Sequence, residues 1–446
     1  MKISNHFLIL LLSLISLHAK SQNAEIERRA DLIFNWLQNE KYDSVTTLFD
    51  RDMKRQFDAS QLEGVWGQVT MTYGAVKKSG EVILEKQDKF IRTQRLVDFE
   101  GGRITLLVAF DSINQVAGLF LQPGDVPYSP SIYVNTESFN EYRIDFGAPD
   151  FKNSGKLSIP KSSKKAPLVI IVAGSGGIDK DCSMGANKIY KDLAWGLSSK
   201  GIATFRFDKR TYRYQNELVE NDKSGKSAFD IRTEYLQDLK EIISSLKKRK
   251  DFDTKRIFIM GHSQGGYLIP LLNKEFKAVF GFISLAGTLR EIPELALEQV
   301  DYLSSFETMD AKDSLEVQSI KRQMRNSLSQ QISNVSSNDS VLGPYTVNYW
   351  KYLSSYKPAV LATQIKKPVL VLQGERDYQV LMKDYELWKS TCSGKPNFSF
   401  KSYPALNHLF MEGSGGKLST PKEYLRASNV PEFVIIDIKN WIESLK

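Results

Sequence analysis

The chain has 446 residues, with 60 Lys and Arg against 52 Asp and Glu, 41% hydrophobic and 25% charged residues, 28 Gly and 15 Pro. These proportions are those of a folded globular protein of more than one domain and exclude a disordered, collagen-like or low-complexity chain. Two cysteines in this length exclude a disulfide-built scaffold.

The first segment reads as a cleavable secretion signal. Lys2 supplies a positive start, Phe7 to Leu17 is an apolar run of eleven residues broken only by serines, and Ala19-Lys20-Ser21 sets small residues at the −3 and −1 positions before Gln22. A membrane span needs about 18 or more apolar residues, so the run is too short to be an anchor, and no Cys follows it to carry a lipid. Residues 1–21 are expected to be removed, leaving a secreted or periplasmic protein. Without Lys2 and Lys20 the formal charge falls from +8 to +6, too diffuse to indicate nucleic acid or an acidic substrate. The densest basic run, Lys247-Lys248-Arg249-Lys250, closes a predicted helix, where cations complement the terminal carbonyls.

Ala24 to Gln38 carries Ile26, Ala30, Ile33, Phe34 and Leu37 at helical spacing, and Tyr42 to Phe49 predicts a second short helix. From Gly64 the pattern changes. Glu81 to Glu85, Phe90 to Val97 and Arg103 to Asp111 are rich in Val, Ile, Thr and Phe, with polar breaks at Lys78-Ser79-Gly80 and Glu100-Gly101-Gly102, as antiparallel strands require. Helices followed by strands predict a small α+β unit over residues 22–121. It holds no catalytic cluster, and Trp36 and Trp66 read as core or cone lining. With Leu106 to Asp111 leading into Val116 to Phe120, this stretch resembles the NTF2-like domain of unknown function that precedes hydrolase domains in many secreted bacterial proteins.

Pro123 to Pro130 holds three prolines and a glycine, which marks a linker over about 122–139. Beyond it Leu168 to Ala173, Ala203 to Phe207, Ile257 to Met260, Val279 to Leu285 and Pro368 to Leu372 are short apolar runs, as expected of parallel strands buried on both faces. Helical segments at Ile189 to Ser199, Ile231 to Lys248 and Gly265 to Phe276 alternate with them. The expectation is a doubly wound, mostly parallel α/β domain over 140–446. Between Gly287 and Lys367 the alternation lapses into polar, helix-prone sequence, read as a cap insertion over about 288–366.

The strongest local signal is Gly261-His262-Ser263-Gln264-Gly265-Gly266, directly after an apolar strand and directly before a helix, the context in which G-x-S-x-G presents a nucleophile on a strained turn. A serine hydroxyl needs a base. His6 and His18 leave with the signal and His262 adjoins the serine with its ring expected to point away, so His408, just after the strand-like Asn397 to Tyr403, remains. A carboxylate must orient that imidazole. Asp377 follows the strand Pro368 to Leu372, and Ser263, Asp377, His408 is the chain order found on this fold; Glu375 and Asp384 are the rival acids. For the oxyanion, the backbone N–H of Gln264 supplies one donor and the glycine-rich loop Gly174-Ser175-Gly176-Gly177 the second, at Ser175. That loop lacks both G-x-x-x-x-G-K-[ST] and G-x-G-x-x-G, so it does not read as a nucleotide site.

Four motifs in order extend the pattern: Val172-Ala173-Gly174-Ser175-Gly176-Gly177-Ile178-Asp179-Lys180-Asp181, then Phe207-Asp208-Lys209-Arg210, the serine elbow, and Leu406-Asn407-His408-Leu409-Phe410. Residues 140–446 thereby resemble the α/β-hydrolase superfamily and its secreted bacterial serine esterases. The resemblance implies hydrolysis of a small carboxylic ester through an acyl-enzyme, without metal or cofactor. Two departures stand out. Lys180 replaces a common Arg, and Thr211-Tyr212-Arg213-Tyr214 replaces a glycine-containing continuation, which predicts a bulkier loop at the site. Tyr345, Tyr349 and Trp350 of the cap are candidate substrate contacts.

Three other readings remain open on the sequence. A serine peptidase of the prolyl-oligopeptidase type shares the elbow and Tyr267 but carries a propeller that about 100 residues of α+β cannot build. A thioesterase or acyltransferase shares the acyl-enzyme, and a non-catalytic binding scaffold shares the fold. Oligomeric state and a bond between Cys182 and Cys392 are not readable from spacing.

Overall fold

The computed structural model describes residues 23–445 apart from 88–89, 125–126, 164, 307–310 and 414. The expected secretion signal lies outside the described residues. The chain divides into two compact units, one running to Tyr128 and including Pro421–Ala427, the other comprising Ser129–Thr420 and the chain from Ser428.

In the first unit, helices α1 (residues 23–38), α2 (Tyr42–Thr47), α3 (Arg51–Gln56) and α4 (Ala59–Tyr73) precede the antiparallel sheet β1 (Val76–Gln87), β2 (Phe90–Phe99), β3 (Gly102–Phe110) and β4 (Val116–Pro123), paired in chain order. The change of pattern expected at Gly64 falls inside α4. Asp58 and Gln61 close a reciprocal capping box that starts this helix, and Leu62 and Trp66, one turn apart, both reach the core. Trp66 is 4% exposed and lies 6.0 Å from the Phe99 ring, so it is core rather than cavity lining. Every second residue of β2 from Thr93 to Phe99 is buried, the period of a sheet covered on one face.

The second unit is built on eight strands. These are β5 (Phe139–Phe146), β6 (Asn153–Pro160), β7 (Leu168–Val172), β10 (Ala203–Phe207), β11 (Ile257–His262), β12 (Gly281–Leu285), β13 (Val369–Gly374) and β14 (Phe398–Tyr403); β8 (Ser183–Met184) and β9 (Asn187–Lys188) form a separate small hairpin. The order is β14-β13-β12-β11-β7-β10-β6-β5, parallel from β14 to β10, with β6 and β5 antiparallel at one end. The sequence pattern did not single out β5 and β6. Asn153, Ser154 and Gly155 are polar or small yet buried, and β5 alternates buried ends with open middles, so neither is an apolar run.

Helices α5 (Ile189–Ser199), α6 (Arg210–Lys223), α7 (Gln237–Leu246), α8 (Gln264–Tyr267) and α9 (Ile269–Glu275) connect the strands as far as β12. The cap follows with α10 (Ile292–Ser304), α11 (Ala311–Asn326), α12 (Val347–Ser355) and α13 (Pro358–Ala362), and α14 (Met382–Thr391) and α15 (Glu432–Ser444) complete the unit. The start expected for the helix at Ile231 is a π turn, Arg232–Leu236, ahead of α7. Cys182 and Cys392 are both free and buried. Because β7, β11, β12, β13 and β14 run parallel in one sheet, the segments after β7, β11, β13 and β14, carrying Ser175, Ser263, Asp377 and His408, emerge at one edge.

Candidate active site

Ser263 occupies the turn between β11 and α8 with φ 53° and ψ −116°, a conformation that costs a non-glycine residue about 1–3 kcal/mol. The surroundings hold it there. Its N–H donates to Leu285 O at 2.8 Å and its carbonyl accepts from Tyr267 N at 2.9 Å, tying the turn to β12 and to the helix start. A side chain at Gly265 would set Cβ 2.5 Å from Val172 O, so only glycine allows α8 to pass this close to β7.

The Asp377 carboxylate and the His408 imidazole meet with Oδ2 and Nδ1 2.7 Å apart, both residues 4% exposed or less. Asp377 Oδ1 accepts from the N–H groups of Gln379 (2.7 Å) and Val380 (2.9 Å), and Oδ2 also accepts from Gln373 Nε2 (3.1 Å). A buried carboxylate held by these donors is fixed in orientation. The loop bearing His408 crosses close over Gly374, where a Cβ would lie 2.4 Å from Leu406 O. Asn407 braces that loop by accepting from Leu409 N and Met411 N through Oδ1. The rival acids are engaged elsewhere: Glu375 accepts from Ser402 Oγ at 2.7 Å, and Asp384 from Thr288 Oγ1 at 2.6 Å and Arg290 Nε at 2.8 Å. Among the described residues, no hydrogen bond joins Ser263 Oγ to His408. Such bonds are often long in ligand-free sites and tighten on substrate.

In the Gly174–Gly177 loop the N–H and C=O groups of Gly174 and Gly176, on either side of Ser175, are engaged. Gly174 N–H donates to Tyr190 Oη (3.2 Å) and Gly176 N–H to Tyr345 Oη (3.1 Å), while Gly174 O accepts from Lys209 Nζ (2.8 Å) and Gly176 O from Thr211 Oγ1 (3.0 Å). Among the described residues, the N–H groups of Ser175 and Gln264 have no hydrogen-bond acceptor. Both residues line the same cavity as Ser263. Two N–H groups without acceptors beside a hydroxyl are what a developing oxyanion requires.

Residues 185–413 match the family described as Serine aminopeptidase, S33, and residues 30–119 the Protein of unknown function (DUF3887). Esterase EstD of Thermotoga maritima is 32% identical over 420 residues, covering 93% of this chain and 95% of that one. The chain belongs to the S33 family of α/β-hydrolases. Among solved structures, Est1E from Butyrivibrio proteoclasticus is 18% identical with a TM-score of 0.44, over 68% of this chain and 98% of its own. The Pyrococcus furiosus esterase Pf2001 is 15% identical with a TM-score of 0.43, over 72% and 99%.

The cavity of this hydrolase measures about 260 Å³ and is lined by apolar Ile292, Leu295, Ala296, Leu342 and Trp350 together with uncharged polar groups. Tyr345 and Trp350 of the cap do border it. Tyr349 does not: its ring is 0% exposed and its hydroxyl donates to Glu234 Oε2 at 2.6 Å. The segment Thr211 to Tyr214 is likewise absent from the lining and begins α6. Lys180 sits on Asp208, through its N–H at 2.9 Å and Nζ at 3.2 Å, an acid it shares with Arg213.

Five side chains to which the motifs gave no role complete the site. His262 Nε2 lies 2.9 Å from His408 O and its Nδ1 3.1 Å from Tyr190 Oη. A carbonyl only accepts, so Nε2 carries the proton and Nδ1 accepts from the phenol. Burial, aided by the neighbouring His408, pushes the His262 imidazole down to about 3, which keeps it neutral. Tyr190 therefore joins the loop of Ser175, the elbow and the loop of His408. Glu234, Tyr235 and Lys209 lie beneath the same loop. The charged run Asp208-Lys209-Arg210, directly after the strand Ala203–Phe207, is the sequence signal that marks this region.

Proposed function

We propose that this esterase-family hydrolase cleaves small carboxylic esters through an acyl-enzyme, with Ser263 as nucleophile, His408 as general base and then acid, and Asp377 as the orienting acid. The observation that carries the reading is the 2.7 Å contact of Asp377 Oδ2 with His408 Nδ1, set at the strand edge that also bears the strained Ser263 turn. His408 takes the hydroxyl proton as Oγ attacks the carbonyl carbon. Asp377 holds Nδ1–H and stabilises the imidazolium that forms. The oxyanion is received by Ser175 N–H and Gln264 N–H. Collapse expels the alcohol, protonated by His408, and water repeats the sequence to release the acid.

The family description names an aminopeptidase, which must hold a free α-ammonium. No Asp or Glu is among the described residues lining the cavity, which favours an uncharged ester over an aminoacyl chain. The deciding experiment measures turnover of p-nitrophenyl acetate, butyrate and octanoate and of an aminoacyl-p-nitroanilide, beside Ser263→Ala. Ester turnover lost in the variant is expected; cleavage of the anilide alone would reassign the site to a peptidase, and activity surviving Ser263→Ala would remove the serine from the mechanism.

The proposed location is outside the cytoplasm, supported by the charged start, the apolar run and the Ala19-Lys20-Ser21 site. Among the described residues, no helix is long and apolar enough to cross a membrane. N-terminal sequencing of the exported protein should begin at Gln22; an intact Met1 on the mature protein would defeat this reading.

A further inference from the structure

Beneath the loop of Ser175 lies an ion pair with no access to solvent. Lys209 Nζ and Glu234 Oε1 are 2.7 Å apart, with side chains 2% and 0% exposed. Removing two charges from water costs several kcal/mol per ion, and an apolar pair of the same shape is often as stable or more so. Stability alone is a weak reason for such a pair, and its remaining contacts supply a better one.

The three hydrogens of Lys209 Nζ have three destinations: Glu234, Gly174 O at 2.8 Å, and the face of the Tyr235 ring, whose centroid is 4.3 Å away. Gly174 C=O and Ser175 N–H belong to one peptide group. That group is planar and trans, so its N–H points opposite to its C=O, and a cation holding the oxygen also aims the hydrogen. The same cation polarises the peptide and strengthens its N–H as a donor. The residue that bears the other oxyanion donor is tied to the pair as well, through its side chain. The Gln264 side chain is gripped by Tyr349 Oη, which accepts from Nε2 at 2.9 Å, and by Tyr235 Oη, 2.9 Å from Oε1 and 2.8 Å from Gly174 O. Tyr349 Oη in turn donates to the free oxygen of Glu234.

Local structure makes this possible. Successive residues of an α-helix point about 100° apart, yet Glu234 and Tyr235 are both buried, at 1% and 2% exposure, in the π turn Arg232–Leu236. Both side chains thereby reach the interior from one turn of the chain. Tyr349 comes from α12 of the cap, and Tyr345 just before it, its ring 4.3 Å from that of Tyr349, accepts from Gly176 N–H.

We propose that the buried Lys209–Glu234 pair is a positioning assembly that aims the Ser175 and Gln264 N–H groups, and that Tyr349 makes this alignment depend on the cap. The proposal rests on the oxyanion role given to Ser175 above. None of the three residues touches the reacting atoms.

The test uses the full chain, p-nitrophenyl butyrate turnover, and inhibition by an alkyl boronic acid, whose tetrahedral adduct on the serine reports oxyanion contacts. Lys209→Met should lower kcat by about 100-fold, the scale of a lost oxyanion donor, and weaken the boronate by a similar factor while KM stays nearly unchanged. Lys209→Met/Glu234→Leu removes both charges, so its melting temperature should recover toward that of the original protein while kcat stays as low as in Lys209→Met. Recovery of kcat together with stability would overturn the proposal, because the pair would then be only structural. Tyr349→Phe keeps the ring and should lower kcat about tenfold with KM unchanged, a part of the same oxyanion contribution; an unchanged kcat there would cut the link to the cap. Ser263→Ala assayed in parallel separates the two claims: turnover persisting in it defeats the serine mechanism, whereas its loss with an unaffected Lys209→Met defeats only the positioning assembly.

Discussion

The two units place their charges differently. In the N-terminal unit every ion pair among the described residues keeps at least one partner about a third exposed or more, from Arg28–Glu25 to Arg95–Asp31, and the core of Ile33, Leu37, Phe49, Trp66 and Phe110 is apolar. In the hydrolase unit Lys209–Glu234 and Arg210–Asp238 are fully buried. Exposed pairs contribute about 0–1 kcal/mol each, whereas buried charges cost several kcal/mol to desolvate. The ion pairs of the N-terminal unit thus add little to its packing and backbone hydrogen bonds, whereas the hydrolase unit accepts a desolvation cost at two buried pairs, one of them beneath the Ser175 loop.

The contrast can be tested from its strongest consequence downward. Ser263→Ala should reduce ester turnover by about 10⁴-fold or more without lowering the melting temperature; retained turnover would detach the chemistry from the hydrolase unit as read here. Asp377→Asn should cost roughly 10³- to 10⁴-fold in kcat, because the amide no longer holds Nδ1–H and the imidazole can take the wrong tautomer. A loss below tenfold would point to Glu375 or Asp384 instead. In the N-terminal unit Trp66→Ala should cost about 3–5 kcal/mol, read by urea denaturation, with kcat/KM unchanged in the folded protein. A loss of activity in step with that stability would erase the distinction between the units.

The last expected effect is on the pH dependence of stability. His262 stays neutral in the folded chain down to about 3, but an unfolded chain takes up that proton below its usual value of 6.5. Its contribution to stability is therefore complete above pH 6.5 and is lost progressively as pH falls from there toward 3. Melting temperatures across this window should decline, and His262→Gln, which keeps a donor for His408 O, should flatten the decline. An equal slope in both proteins would remove His262 as the cause.

Much of the hydrolase unit was legible because its signals are local. The apolar runs at Leu168, Ile257 and Val369 are strands buried on both faces, and Gly265 is needed wherever a helix starts this close to a neighbouring strand. α4 was not legible, since Gly64 and Gly67 dilute a helical pattern that the Asp58 cap and two buried contacts suffice to sustain. β5 and β6 escaped for the opposite reason: Asn153 and Ser154 are polar residues whose burial depends on hydrogen bonds to distant partners, such as Asn153 Nδ2 to Asp208 O at 2.7 Å. Tyr349, a candidate substrate contact by its place in the cap, turned out to face Glu234 because one helix presents neighbouring aromatics in different directions.

The sequence by itself determined the elbow, the order Ser263, Asp377, His408 and the glycine loop, because each depends on residue types at short spacing around a strand end. Only the tertiary structure decided which groups grip that loop. Lys209, Glu234, Tyr235, Tyr190, His262 and Tyr349 come from five separate stretches of the chain, and their meaning lies in which hydrogen points at which oxygen. Distance and direction of that kind arise from packing between elements, and no spacing along the chain encodes them.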